Sequence, residues 1–164
     1  MRHLKSVRIG ELVAGEQPSA SDVLELRKQG FRSIVNLRLP RESSQELTPE
    51  QESGLATVFD LRFAHLPISA DRLSEEDVLA FREAVAGLPA PVYVHCGLGQ
   101  RAATLALLAD AENNAQASQA IARAERQGIA ISPKVRDFIG RHFERQRGQA
   151  QGSPTHTLIC GTAA

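Results

Sequence analysis

One stretch narrows the possible folds more than any other: Pro91-Val-Tyr-Val-His-Cys-Gly-Leu-Gly-Gln-Arg-Ala-Ala-Thr-Leu-Ala-Leu-Leu108. Val92, Tyr93 and Val94 are β-branched or aromatic and follow a proline, which predicts a short buried strand. Arg101 to Ala109 holds no helix breaker and is rich in Ala and Leu, which predicts a helix. Between them lies Cys96-Gly97-Leu98-Gly99-Gln100-Arg101. A strand, a glycine turn and a helix bring backbone N–H groups and the positive end of a helix dipole to one point. A cysteine at that point is held as thiolate, its reactive form. Arg101 adds a planar fork of donors for an anion. Taken alone, a cysteine that ends a strand is usually a core residue. Two glycines and an arginine make a poor core plug and a good anion cradle.

The rest of the chain is read around this stretch. The chain has 164 residues, enough for one domain with a proper core. Lys+Arg and Asp+Glu both number 19, so no charge excess points to nucleic acid or a membrane surface. No apolar run approaches a membrane span, and the basic start at Met1 leads into no apolar signal region. The two cysteines, Cys96 and Cys160, suit a reducing, cytoplasmic setting better than a disulfide framework. There is no zinc-ligand spacing, no P-loop and no dinucleotide fingerprint, so neither a metal nor a cofactor is expected.

In chain order, Val7 to Val13 alternates as one strand. Ser19 with Asp22, Thr48 with Gln51 and Ser74 with Asp77 have the spacing of capping boxes, and Pro49 suits a first helical position. Phe31 to Leu37 and Leu61 to Leu66 predict further strands. Helices are predicted from Ala115 to Gln127 and from Ser132 onward, the last carrying Val135, Phe138, Ile139 and Phe143 at helical spacing. The domain is expected over 1–147, with a flexible tail over 148–164. Strands alternating with helices predict an α/β fold: a central, mostly parallel sheet of four or five strands flanked by helices. Ligands in such sheets sit outside the carboxyl ends of the strands, where Cys96, Arg38 and the loop carrying Asp71 all fall.

His95-Cys96-x-x-Gly99-x-Arg101 resembles the signature of the cysteine phosphatases. Gly15-Glu-Gln-Pro18, Gly30-Phe-Arg-Ser-Ile-Val-Asn-Leu-Arg38 and His65-Leu-Pro-Ile68 extend the likeness. Together they resemble the bacterial beta-lactamase-hydrolase-like phosphatase-like domain, of the tyrosine-phosphatase-like superfamily, over about residues 7 to 145. The resemblance implies a phosphatase-type fold in which Cys96 is the nucleophile and His95 bonds nearby backbone and helps to hold the thiolate. It implies that the N–H groups of Gly97, Leu98, Gly99, Gln100 and Arg101 cradle an anion that Arg101 clamps. Asp71 looks like the movable general acid of the dual-specificity phosphatases; the competing reading is a loop aspartate that solvates a turn.

Two features depart from the phosphatase pattern. Four residues, not five, separate Cys96 from Arg101, as in rhodanese-type sulfur transferases, and Ala102 stands where phosphatases carry Ser or Thr. A phosphoryl group needs a ring of donors wide enough for its oxygens, whereas a persulfide fits a tighter ring. The leading expectation is a phosphatase-like hydrolase working through a Cys96 thiophosphate on a small anionic substrate. The alternatives are a sulfur transferase working through a Cys96 persulfide, and a non-catalytic anion-binding module. Arg38 is either a site residue or a surface arginine, while Arg41, Arg62 and Arg72 are read as surface. Cys160 is read as a passive thiol, with the alternative that it resolves an oxidised Cys96.

Overall fold

The computed structural model describes residues 3–152. Its elements run β1 (Ser6–Ile9), β2 (Leu12–Gly15), α1 (Ala20–Lys28), β3 (Ser33–Asn36), α2 (Pro49–Val58), β4 (Arg62–His65), α3 (Glu75–Ala86), β5 (Val92–His95), α4 (Gln100–Asp110), α5 (Asn114–Arg126) and α6 (Pro133–Gln151). Three of the helices start on the capping boxes read from the sequence. Ser19, Thr48 and Ser74 accept from the backbone N–H of Asp22, Gln51 and Asp77, whose side chains accept from the cap N–H groups in return. Gly30 follows α1 with φ +95°, the left-handed conformation that a residue just past a helix end adopts.

The strands form one sheet in the order β1-β2-β5-β3-β4. β2, β5, β3 and β4 are parallel, and β1 is antiparallel to β2. This is the mostly parallel α/β sheet that the sequence predicts, at five strands. The single strand expected over Val7–Val13 is instead a hairpin. Gly10 has φ +60° at the first central position of a two-residue turn, so the chain reverses there and pairs Ile9 with Leu12. Its short alternating halves look continuous because Gly10 and Glu11 occupy positions that the alternation spans.

Side-chain alternation divides the core in two. Ala14, Val35, Val92 and Val94 face one side of the sheet and pack with Phe81 of α3, with α4 and α5, and with Ile139 and Phe143 of α6. Val13, Ile34 and Tyr93 face the other and pack with Val23, Leu26 and Ala56 from α1 and α2. β3 and β5 are buried along their whole length, as strands covered on both faces must be. α6 continues through Gly148 to Gln151, past the expected start of the tail; residues 153–164, Cys160 included, lie outside the described residues. No helix among the described residues is long and apolar enough to cross a membrane.

The parallel strands end in register: Gly15 pairs with His95, His95 with Asn36, and Asn36 with His65. Gly15 has no room for a side chain, because a Cβ there would lie 2.6 Å from the Lys5 carbonyl oxygen and 2.5 Å from the Tyr93 hydroxyl. Gly15→Ala is therefore expected to destabilise the fold by about 1–3 kcal/mol, measured by urea unfolding. A midpoint equal to that of the native chain would contradict this account of the strand ends.

Candidate active site

β5 delivers His95 and Cys96 to opposite faces of the sheet, since neighbouring residues on a strand alternate. Cys96, 2% exposed, joins the core beneath α4, while His95 lies on the side of α2. The chain then turns through Gly97 and Leu98 to Gly99, which has φ +94° and precedes the first turn of α4. A side chain at Gly99 would be strained by that φ and would crowd Ile129 and the backbone of Gly15. The turn aims the Gly99 N–H at Cys96 Sγ, 3.2 Å away. The sulfur thus accepts an N–H from the residue that precedes the first turn of α4. Cys96, Gly97, Leu98, Gln100 and Arg101 line one cavity, and Leu98 is 79% exposed at its rim.

Arg101 reaches back across this cavity from the first turn of α4. Its Nη1 donates to the Ile68 carbonyl at 2.9 Å, and the fork holds Glu42 through both carboxylate oxygens. Burial opposes the Arg101 charge, but the Glu42 hydrogen bonds and the negative charge presented by Cys96 and Glu42 outweigh it and raise its pKa. Burial alone would likewise push the Glu42 carboxyl up. The hydrogen bonds from Arg101 and from the Leu39 N–H, with the Arg101 and Arg38 charges, hold it below its ordinary 4.5.

A buried polar layer supports the turn from below. His95 Nε2 lies 2.7 Å from Glu52 Oε1, and the Asn36 amide donates to Glu52 Oε2 at 2.7 Å. His95 Nδ1 faces the Cys96 carbonyl at 3.4 Å. His65 Nε2 lies 2.7 Å from the Arg38 carbonyl. Gln17 fastens the β3–α2 loop to the cysteine turn: its N–H donates to the Gly97 carbonyl, its amide donates to the Ser44 carbonyl, and its Oε1 accepts from Glu46 N–H.

The structure thus brings Cys96, Gly97, Leu98, Gln100 and Arg101 to one cavity and puts the His95 side chain on the opposite face of the sheet, against Glu52. It also settles Arg38, which is 2% exposed and holds its Nη1 3.1 Å from where a Gly97 side chain would begin, so it is no surface arginine. Arg41, Arg62 and Arg72 are exposed, as read. Asp71 is exposed in the loop between β4 and α3; its neighbour Ala70 lines the cavity, and the Asp71 carbonyl accepts from Lys134 Nζ. Glu42, Glu52 and Gln17 were not singled out from sequence. Glu52 did leave a signal, a carboxylate on the buried stripe of α2 that Pro49 and Ala56 mark. Glu42 and Gln17 lie in irregular segments with no periodicity to read.

Residues 7–113 match the family model for the phosphatase-like domain of beta-lactamase hydrolase-like proteins. The chain belongs to that family. A beta-lactamase hydrolase-like protein of Agrobacterium fabrum is 36% identical over 109 residues, which make up 66% of this chain and 25% of that protein. One from Xylella fastidiosa is 32% identical over 108 residues, 65% of this chain and 25% of that protein. This phosphatase-like domain therefore spans about a quarter of the length of the curated relatives that it matches. Among solved structures, a candidate phosphatase from Neisseria meningitidis superposes with a TM-score of 0.74 at 20% identity, covering 85% of this chain and 99% of that one. TpbA of P. aeruginosa, as a cysteine-to-serine variant in complex with pTyr, gives 0.62 at 15% identity, covering 91% of each chain. The core catalytic domain of a PP-IP phosphatase from S. cerevisiae, in complex with citrate, gives 0.63 at 14% identity over 90% of this chain and 91% of that one. At these identities the likeness establishes the fold, that of phosphatases of the tyrosine-phosphatase-like type.

The depressed Glu42 pKa has a consequence for stability. A carboxyl whose pKa is lower folded than unfolded stabilises the fold above its unfolded value, here 4.5, and loses that contribution as pH falls through the folded value. Glu42→Gln is expected to melt below the native chain at neutral pH, with the gap closing as the solution is acidified past 4.5. Thermal unfolding across pH measures this; a gap that does not change with pH would contradict it.

Proposed function

We propose that this domain is a cysteine-dependent phosphatase-like hydrolase. The observation that carries the reading is the placement of Cys96 Sγ at the mouth of α4, with the Gly99 N–H on the sulfur and the Arg101 fork in the same cavity. Family membership and the phosphatase fold support it, as does the binding of anionic ligands, pTyr and citrate, by two structural neighbours.

In this reading the Cys96 thiolate attacks phosphorus in line with the ester oxygen. The S–P bond forms as the P–O bond breaks, and the leaving oxygen takes a proton from Asp71. The N–H groups of the turn and Arg101 stabilise the charge on the remaining oxygens. Water then attacks phosphorus and gives a proton to the Asp71 carboxylate, the S–P bond breaks, and inorganic phosphate leaves with the thiolate restored. Asp71 sits in an irregular loop beside Ala70 at the cavity, a place from which it could close on a bound ester.

Two observations favour a second reading, sulfur transfer. The turn has four residues, and no hydroxyl follows Arg101. Ala102 is fully buried, and the nearest downstream hydroxyl, Thr104, donates to the Gln100 carbonyl at 2.7 Å instead of facing the sulfur. Here the Cys96 thiolate attacks the sulfane sulfur of a donor such as thiosulfate. The S–S bond breaks, sulfite leaves, and a thiol acceptor later removes the outer sulfur from the Cys96 persulfide.

A paired assay separates the two. Purified protein is expected to cleave an aryl phosphate, Cys96→Ser to abolish cleavage, and Asp71→Asn to slow it by about a hundredfold or more. Cleavage no greater than that of the serine variant would remove the phosphatase reading. One added sulfur on Cys96 after incubation with thiosulfate, seen by mass spectrometry, would install sulfur transfer in its place. If neither donor reacts while phosphate still raises the melting temperature, the domain is an anion-binding module.

A further inference from the structure

The fork that would clamp a substrate is already filled. Glu42 Oε2 accepts from Arg101 Nη1 at 2.9 Å, and Oε1 accepts from Nη2. The same Oε1 stands 3.8 Å from Arg38 Nη2 and 3.9 Å from the point where a Gly97 side chain would begin. Glu42 lines the cavity that holds Cys96 and Arg101. A carboxylate offers a guanidinium the same pair of oxygens, at the same spacing, as one edge of a phosphate. Glu42 and an incoming oxyanion therefore compete for one set of donors.

A second observation concerns Arg38, the other cation beside Glu42. The Arg38 side chain is 3% exposed, yet its Nε has no hydrogen-bond partner. Two guanidiniums thus lie beside one carboxylate, and one of them is incompletely satisfied. Glu42 also sits where it can leave. It belongs to the irregular segment between β3 and α2, and its side chain is 24% exposed. A single main-chain bond, from the Leu39 N–H to Oε2 at 3.0 Å, ties the carboxylate to its own loop.

We infer that Glu42 is the resident anion of the Arg101 site and is displaced when an oxyanion binds. This deepens the proposed function and rests on the reading that the cavity receives an oxyanion. It also bears on the charge of the ligand. An anion with no more charge than a carboxylate gains nothing from the exchange, whereas a dianion does. The exchange therefore favours dianions over monoanions.

The test reads binding, so a domain that cleaves no ester still decides it. Inorganic phosphate, dianionic at about pH 8, and dimethyl phosphate, a monoanion, are titrated calorimetrically into the full chain and into Glu42→Gln. Phosphate is expected to bind the native chain more tightly than dimethyl phosphate does, and to bind Glu42→Gln about tenfold more tightly than native, the scale of one charge-assisted hydrogen bond. Equal or weaker binding to Glu42→Gln would overturn the inference, because Glu42 would then be holding Arg101 in place for the ligand. No preference for phosphate over dimethyl phosphate, or no phosphate binding to either form, would overturn it as well. Should the variant fail to fold, hydrogen exchange on the native chain decides. Saturating phosphate is expected to speed exchange of the Leu39 amide, freed as Glu42 leaves; unchanged or slower exchange there counts against displacement.

Discussion

Adjacent side chains of β5 leave the sheet on opposite faces, and the whole site hangs on where that alternation ends. Cys96 emerges beneath α4 and meets an N–H of the glycine turn. His95 emerges on the side of α2 and meets Glu52, a carboxylate only 1% exposed. Burying a carboxylate so deeply costs several kcal/mol unless its oxygens are satisfied. Here each oxygen has a partner, His95 on one and Asn36 on the other. Because those partners come from the carboxyl ends of two neighbouring strands, the Glu52 bonds also fix how β3 and β5 end relative to each other. A shift of one residue in either strand would send His95 or Asn36 to the wrong face and leave one oxygen of the carboxylate unpaired. The polar layer thus enforces the register on which the cysteine's position depends.

Above the sheet, charge is matched by geometry instead of by burial. Arg101 is tethered to the Ile68 carbonyl, so its fork is aimed before any ligand arrives. Such pre-aiming lowers the ordering cost of binding, which otherwise consumes part of the interaction energy. Gln17 contributes in a different way. By bridging Gly97 and Ser44 it makes the loop that carries Glu42 and the turn that carries Cys96 move as neighbours. The Gly15–Pro18 phrase matters because it presents this glutamine just past the end of β2.

What could be read from the chain follows from how local its physics is. Capping boxes, the left-handed glycine after α1 and the helix-opening prolines depend on a few adjacent residues, and Ser19, Thr48, Ser74, Gly30 and Pro49 all act as their spacing indicates. The cysteine turn was legible for the same reason. The β1–β2 hairpin was not, because a glycine inside an alternating run looks like one more small residue until its φ is known. Residues whose partners lie far along the chain were legible only as anomalies. Glu52 lies on a buried helical stripe and reaches His95, 43 positions away. His142 lies on the stripe of Ile139 and Phe143 and contacts Glu75, at the start of α3, at 2.6 Å. A charged or titratable residue on an apolar stripe is thus a signal for a distant partner, though it does not say which. Glu42 left no such mark, since nothing periodic surrounds it.

The two chemistries weighed for Cys96 ask different things of the groups around it. A persulfide needs space beyond one sulfur and little added charge stabilisation, and a turn of four residues with Arg101 matched to Glu42 meets that need. A phosphoryl group needs Arg101 unmatched, because its developing negative charge must fall on donors that no other anion holds. The fold is common to both, so the deciding element is the one carboxylate opposite the turn. On the inferred displacement, Glu42 on the fork would suit a single sulfur, and Glu42 moved aside would free the Arg101 guanidinium for an oxyanion. The placement of the Glu42 side chain on the β3–α2 loop, more than the identity of the nucleophile, would then govern which reaction the cysteine supports.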